Sequence, residues 1–211
     1  MKKCFKKETK LFELRMMTLA TEGCYAEPHL LDHLWADAEE LGKVSEILNA
    51  KNDQGDNPLQ LSARYGNPRV LSWIVKKWED VSCELDIDAP DSDGASPLFA
   101  CCQKGYLGAE LIHSRTPETK RKRWECAQIL IKAGANVNYK IPLISMTPLH
   151  WAAYNDDSKI VYLLLSKGAI MAKNREDNMP VDIAGFCGNG HVVNIFAEQI
   201  ELNLDEFVVR D

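Results

Sequence analysis

Four segments of this chain begin with proline and an apolar residue and end with two small residues. Proline suits the first position of a helix, because its missing N–H would be unpaired there and its φ is fixed. Asn57, Ser96 or Thr147 precedes three of the prolines, and these residue types are favoured helix N-caps. The recurrence predicts a series of helical units that bury their apolar sides against one another. The segments are residues 58–63, 97–102, 148–153 and 180–185.

The third segment belongs to a longer unit that resembles one ankyrin repeat almost position for position. It opens with Thr147-Pro148-Leu149-His150, and the matching second helix ends at Gly168-Ala169. In that family the leucine points into the stack, a following alanine pair lets two helices approach closely, and the histidine bonds the neighbouring backbone and the threonine hydroxyl. The resemblance covers about residues 30–201 and implies an all-α solenoid of stacked helix–turn–helix pairs with β-hairpin loops.

The resemblance implies about five units, including a degenerate first one at residues 30–48. Residues 1–27 are predicted to be an N-terminal extension whose amphipathic helix caps the array or docks on a partner. Residues 28–202 are predicted to be the array and residues 203–211 a tail. Only the last of the three proline intervals is close to the family period of about 33 residues. The longer intervals predict insertions near residues 78–83 and 106–123, and such loops often carry function.

Composition excludes several classes of protein. With 211 residues, of which 45% are hydrophobic, the chain is long enough to bury a sizeable core. No run approaches the roughly 18 apolar residues that cross a bilayer, so no membrane span is predicted. Seven cysteines show no paired framework, which predicts reduced thiols and a cytoplasmic protein, with the nucleus as the alternative. A net charge of −6 argues against nucleic-acid binding.

Residues of the kinds used in catalysis are present but poorly arranged for it. Cys101, Cys102, His113 and Cys126 fit no zinc-ligand spacing, because adjacent helical residues point about 100° apart. A Cys–His nucleophile pair needs a pocket and an oxyanion site, which the repeat pattern does not predict. We therefore predict no catalytic residue, no metal, no cofactor and no small-molecule substrate.

Protein binding is the function that the resemblance implies. Ankyrin arrays bind partners on a concave groove formed by hairpin tips and exposed first-helix positions. Aromatic residues are frequent interface anchors, although Trp151 and Phe186 could instead pack between neighbouring first helices. The residues at groove positions, and so the predicted partner contacts, are Arg64, Tyr65, Gln103, Lys104, Trp151, Tyr154, Asn155 and Phe186.

A run of four cations opens the helix that follows Thr116 and Pro117. This cluster could be a solvated face, a contact for an acidic partner or a nuclear-targeting signal. The residues are Lys120, Arg121, Lys122 and Arg123. Ile141, Leu143 and Ile144 form an apolar tip that either packs against the neighbouring tip or is exposed for a partner.

The sequence therefore predicts a non-catalytic adaptor or scaffold whose partner is another protein. Two alternatives stay open. The chain could be a cytosolic regulatory module of a larger membrane protein, such as an ion channel or a palmitoyltransferase, or a fixed structural subunit of a large assembly.

Overall fold

The computed structural model describes residues 13–20, 28–40, 42–80, 86–103 and 117–208, with the side chains of 28–30, 79–80, 119 and 200–208 excepted. All regular secondary structure in these ranges is helical, which confirms the predicted fold class. The chain divides into two compact units, residues 1–136 and residues 137–211.

Unit 1 is built from helix pairs whose members pack in two layers. The short helices α4 and α6 pack against each other, and the longer helices α5 and α7 do the same. Its core is formed by side chains from both layers, among them Leu59, Leu71, Ile74, Phe99 and Leu130. The helices of this unit are α1 (residues 13–20), α2 (Pro28–Glu40), α3 (Val44–Leu48), α4 (Pro58–Arg64), α5 (Pro68–Asp80), α6 (Pro97–Cys102) and α7 (Pro117–Lys132).

The beginning of unit 1, where residues 30–48 are predicted to form a degenerate first unit, contains α2 and α3, which pack against each other. Helix α2 packs against α5, a second helix, and the rings of Trp35 and Trp73 meet edge to face with centroids 5.4 Å apart. Asn67, in the turn between α4 and α5, donates from Nδ2 to the Leu19 carbonyl at 3.2 Å. Thus α1 lies beside the α4–α5 turn, and α2 lies where the second helix of a preceding pair would pack.

Unit 2 contains two complete helix pairs: α8 (Pro148–Tyr154) with α9 (Ser158–Ser166), and α10 (Pro180–Phe186) with α11 (Gly190–Val208). The first helices α8 and α10 pack together, as do the second helices α9 and α11. The core between them consists of wholly buried side chains, including Leu149, Ile160, Leu164, Ala184 and Phe196. Each pair thus buries against the next the apolar side that it could not bury alone.

The helix starts confirm the local predictions. The four repeat prolines are the first residues of α4, α6, α8 and α10. Asn57 Oδ1 accepts from Gln60 N–H at 2.8 Å, and Ser96 Oγ accepts from Phe99 N–H at 3.3 Å. Met179, which precedes α10, has no such oxygen. There Asp182 supplies the reciprocal half of the cap, since its carboxylate accepts from Met179 N–H at 2.7 Å.

The inter-repeat tips are hydrogen-bonded turns, and the described ranges contain no strand. Each turn is closed by a backbone bond between its two sides, as between Asn52 N–H and Asp56 O at 3.0 Å and between Asn174 N–H and Asn178 O at 2.9 Å. In unit 1 two tips are in contact, because Ser92 N–H donates to Gln54 O at 3.1 Å. This contact joins successive repeats through their backbones.

The predicted insertions are only partly described. Helix α5 runs to Asp80, and residues 81–85 lie outside the described ranges. Residues 104–116 are also outside them. Helix α7 begins at Pro117, which confirms that residues 117–124 extend a second helix at its N-terminus. Helix α11 continues to Val208, through most of the segment predicted to be a tail.

Candidate functional site

Two exposed aromatic rings stand at equivalent positions of stacked helices in unit 2. Tyr154 is the seventh and last residue of α8, and Phe186 is the seventh and last residue of α10. Tyr154 is 49% exposed and Phe186 is 76% exposed. Because packed helices lie about 8–10 Å apart, the two rings belong to one surface. Exposure on this scale excludes the alternative that Phe186 packs between first helices.

Trp151 lies one turn before Tyr154 and supports it. The two rings meet edge to face, with centroids 5.2 Å apart and planes at 78°. Trp151 is itself only half-buried. The end of α8 is fixed from the next repeat, because Asn189 Nδ2 donates to the carbonyls of Ala153 at 2.7 Å and Tyr154 at 3.1 Å. We call Trp151, Tyr154 and Phe186 the aromatic face.

His150 holds the start of α8 in place. It is completely buried, and its Nδ1 accepts from Thr147 N–H at 3.1 Å and lies 2.8 Å from the Thr147 hydroxyl. Its Nε2 therefore carries the proton and donates to Asn178 O at 3.1 Å, in the next tip. Burial lowers the pKa of His150, which keeps the ring neutral. These bonds confirm the structural role that the resemblance implied.

The apolar tip of unit 2 was predicted either to pack against the neighbouring tip or to be exposed, and its residues differ in this respect. Ile141 is buried, whereas Leu143 is 69% exposed and Ile144 is partly exposed. The backbone of the tip is held by Arg175, whose N–H donates to Ile144 O and whose guanidinium donates to Leu143 O, both at 3.1 Å. A fixed backbone thus presents Leu143 to solvent.

Three of the predicted contact residues are bonded or buried within the protein. Arg64 is a structural residue: its side chain is 13% exposed, and the guanidinium bonds Asp56 and Asp91 at 2.7 Å each. Gln103 Oε1 accepts from Arg64 at 3.4 Å, and Asn155 is buried. Asp91, in the next tip, covers part of the Arg64 side chain, whereas Gln103 stays partly exposed. Tyr65 is half-buried, and Lys104 lies outside the described residues.

The basic run at the start of α7 is largely neutralised. Arg121 pairs with Glu118 at 2.8 Å and with Glu125, and Lys122 lies 3.6 Å from Glu118. Arg123 is buried and so exposes little surface that an acidic partner could contact. Its stem packs beneath Gly66, where an added Cβ would lie 3.4 Å from Arg123 Cγ. Lys120 is partly exposed.

Three cysteines of unit 1 serve as small core residues. Cys101 and Cys102 occupy the slot that Ala152 and Ala153 occupy in α8, and all four are buried. Burial is the main cause that raises the pKa of the Cys101 thiol, and a hydrogen bond with Cys126 is the second. Cys101, Cys102 and Cys126 are free buried thiols and Cys187 is a free exposed one. In the described ranges no three His, Cys, Asp or Glu residues are grouped so that they could hold a metal ion.

Comparison with known families agrees with this geometry. The family model described as ankyrin repeats in 3 copies matches residues 118–206. Residues 118–206 of the chain are therefore ankyrin repeats. The match includes α8 to α11, so the aromatic face lies at the ends of two first helices of ankyrin repeats.

Three relatives illustrate the range of proteins that carry similar repeats. An ankyrin repeat and KH domain-containing protein, mask-1 of Caenorhabditis elegans, is 25% identical over 81% of this chain and 6% of its own length. The NF-kappa-B inhibitor delta of Mus musculus is 29% identical over 60% of this chain and 38% of its own. The human transient receptor potential cation channel subfamily A member 1 is 25% identical over 68% of this chain and 11% of its own length. The chain thus spans well under half the length of these relatives.

Within the described ranges, no helix is both long enough and apolar enough to cross a bilayer.

Proposed function

We propose that this ankyrin repeat chain is a non-catalytic adaptor that binds another protein through the aromatic face of unit 2. Ankyrin repeats are in general protein–protein interaction modules. The observation that carries the proposal is the exposure of Tyr154 and Phe186 at equivalent positions of stacked first helices. Large exposed aromatic side chains are costly to leave in water and are the residues that most often anchor interfaces.

The surroundings of the aromatic face favour a partner segment with apolar side chains. Trp151 fixes the Tyr154 ring, and Asn189 fixes the backbone beneath it, so little conformational entropy is lost when a partner binds. Leu143 adds an exposed apolar side chain in the same unit. We place this binding in the cytoplasm, with the nucleus as the alternative compartment, because the four cysteines in the described ranges are free thiols.

A matched pair of tyrosines provides the test. Tyr154 and Tyr162 are almost equally exposed, at 49% and 51%, but Tyr162 belongs to the second helix α9. A partner is first identified by affinity capture and mass spectrometry and then titrated as a purified protein. Tyr154→Ala and Phe186→Ala are each expected to weaken binding by about 1–2 kcal/mol, a typical anchor contribution. Tyr162→Ala is expected to bind as the wild type does. Unchanged affinity in both first-helix variants, with normal far-UV circular dichroism, would rule the aromatic face out.

A second candidate is favoured by one comparison. The similarity to the cation channel covers 68% of this chain but 11% of the channel. A regulatory ankyrin module within a larger membrane protein would likewise match over most of its own length and over a small part of the whole protein. Sequencing the complete transcript tests this candidate, since it requires a reading frame that also encodes membrane-spanning helices.

A further inference from the structure

Unit 1 has a groove on its second-helix layer, a different layer from the first-helix positions predicted to bind a partner. Helices α5 and α7 form its two walls, and Leu31 of α2 contributes to its floor. Its volume is about 640 Å³. We call it the outer-helix groove, and the residues that matter for its chemistry are Arg69, Trp73, Lys76, Glu125, Ile129 and Lys132.

Helical spacing brings these residues to one surface. Arg69, Trp73 and Lys76 follow one another at intervals of one turn on α5, and Glu125, Ile129 and Lys132 do the same on α7. Residues three and four apart share a helix face. Because α5 and α7 pack against each other, their two faces line a common channel.

The charges at the rim are mainly positive. Arg69, Lys76 and Lys132 are exposed, and none of them pairs with a carboxylate among the described side chains. Glu125 is the acidic residue of the lining, and its carboxylate is bound by Arg121. The chain as a whole carries a net charge of −6, so this basic groove contrasts with the rest of the molecule.

The floor of the groove is apolar and well ordered. Leu31 is buried, and Trp73 and Ile129 are half-buried. The indole of Trp73 is oriented by its Nε1–H, which donates to Asp32 at 3.0 Å, and by the Lys77 ammonium 5.9 Å from the ring centroid. An apolar stripe laid on Trp73 and Ile129 would remove both from water, which is favourable.

We infer that the outer-helix groove binds an acidic amphipathic helix of a partner protein. Such a helix places its apolar stripe on Trp73 and Ile129 and directs its carboxylates toward Arg69, Lys76 and Lys132. Complementary charge supplies specificity and speeds association. This surface lies in unit 1 and is independent of the aromatic face. The basic run at residues 120–123 does not serve this purpose, because Arg121 is paired and Arg123 is buried.

Designed peptides test the inference without a known partner. The probe is a fluorescein-labelled helical peptide of about 18 residues, with leucines at i, i+3, i+4 and i+7 and glutamates flanking them. One control peptide carries lysines for the glutamates, and another carries serines for the leucines. Binding to the full chain is followed by fluorescence anisotropy at low and high salt. Phosphatidylserine vesicles and a DNA duplex are tested as the other classes of ligand.

The variants are matched for charge. The triple variant Arg69→Glu, Lys76→Glu, Lys132→Glu reverses the rim of the groove. The control Lys140→Glu, Lys159→Glu, Lys167→Glu reverses three exposed lysines in unit 2. Ile129→Ser tests the floor separately. Circular dichroism and urea unfolding establish that each variant is folded. The neutral set Arg69→Gln, Lys76→Gln, Lys132→Gln replaces the reversed one if that one unfolds.

The inference predicts that the acidic peptide binds and that both control peptides bind much more weakly. The rim variant is expected to weaken binding about tenfold or more, Ile129→Ser several-fold, and the unit 2 control less than twofold, with affinity falling at high salt. Three results overturn it: no binding of the acidic peptide, equal binding by the rim variant and the control, or rim-dependent binding of vesicles or DNA without binding of the peptide. None of these results bears on the aromatic face, which the tyrosine pair tests separately.

Discussion

The guanidinium of Arg64, at the end of α4, lies 2.7 Å from the carboxylate of Asp91, 27 positions along the chain in the next tip. A second bond of 2.7 Å joins Arg64 to Asp56, so one guanidinium bonds two buried carboxylates. These three residues form a charged triad. Burial lowers the pKa of Arg64, but the hydrogen bonds and charges of Asp56 and Asp91 raise it above its ordinary value. The triad thus links two successive repeats electrostatically.

Removing this cation is expected to destabilise unit 1 strongly. Arg64→Gln leaves two buried carboxylates without a charged partner, which costs about 3–5 kcal/mol when a buried pair is broken. The free energy of unfolding in urea measures the loss. Arg69→Gln, at an exposed position, is the control and is expected to change stability by less than about 0.5 kcal/mol. Similar small losses in the two variants would show that the triad contributes little.

The close approach of the two unit 1 tips leads to a second prediction. Gly55 has φ +78° and Gly134 has φ +93°, so alanine is strained at both positions, by about 1–2 kcal/mol. A Cβ at Gly55 would also lie 2.5 Å from Ser92 Oγ and 2.7 Å from Ser92 N, whereas at Gly134 it would meet nothing within 4 Å. Gly55→Ala is therefore expected to lower the thermal midpoint more than Gly134→Ala. Equal midpoints would contradict the contact between the tips.

Two asparagines in unit 2 differ in whether their side chains donate or accept hydrogen bonds. Asn189 uses its amide donors on the Ala153 and Tyr154 carbonyls, whereas Asn174 uses its Oδ1 to accept from Glu176 and Asn178 N–H groups at 2.9 and 3.0 Å. Aspartate keeps acceptors but has no donor when ionised. Asn189→Asp is expected to lower the free energy of unfolding by about 1–3 kcal/mol, and Asn174→Asp to be nearly neutral. Equal effects in chemical denaturation would count against the assigned bonds.

The buried histidine predicts sensitivity to acid. Because burial lowers the pKa of His150, the folded chain binds fewer protons at this site than the unfolded chain does below about pH 6.5. The contribution of His150 to stability is therefore complete above that pH and is lost as the pH falls toward the lowered pKa. His150→Gln is expected to be less stable at neutral pH but to lose less on acidification.

Urea unfolding at about pH 7.5 and about pH 5.5 measures this difference in slope. His191→Gln, at an exposed position, controls for the loss of a histidine in itself. If the His150 variant and the wild type lose the same free energy between the two pH values, His150 does not cause the acid sensitivity.

The sequence by itself determined the elements that depend on neighbouring residues. Proline at the first helical position and an oxygen at the N-cap are local requirements, so Asn57-Pro58 and Ser96-Pro97 mark their helix starts correctly. The small residues at 101–102 and 152–153 follow the same logic, since their size alone admits a close helix. His150 bonds a residue three positions away, and its role was therefore predictable from the motif.

Only the tertiary structure decided which surface side chains are available. Arg64 and Arg123 are charged residues on helices, yet contacts with residues distant in the chain cover most of each side chain. Asp91 bonds Arg64, and Gly66 lies against the stem of Arg123. The outer-helix groove likewise exists only because α5 and α7 pack side by side, although residues 81–116 separate them in the sequence. Helix starts depend on short-range sterics and hydrogen bonds that a motif records. The burial and ion pairing of a side chain depend on residues of the repeats stacked against it. The sequence of a single repeat does not specify those residues.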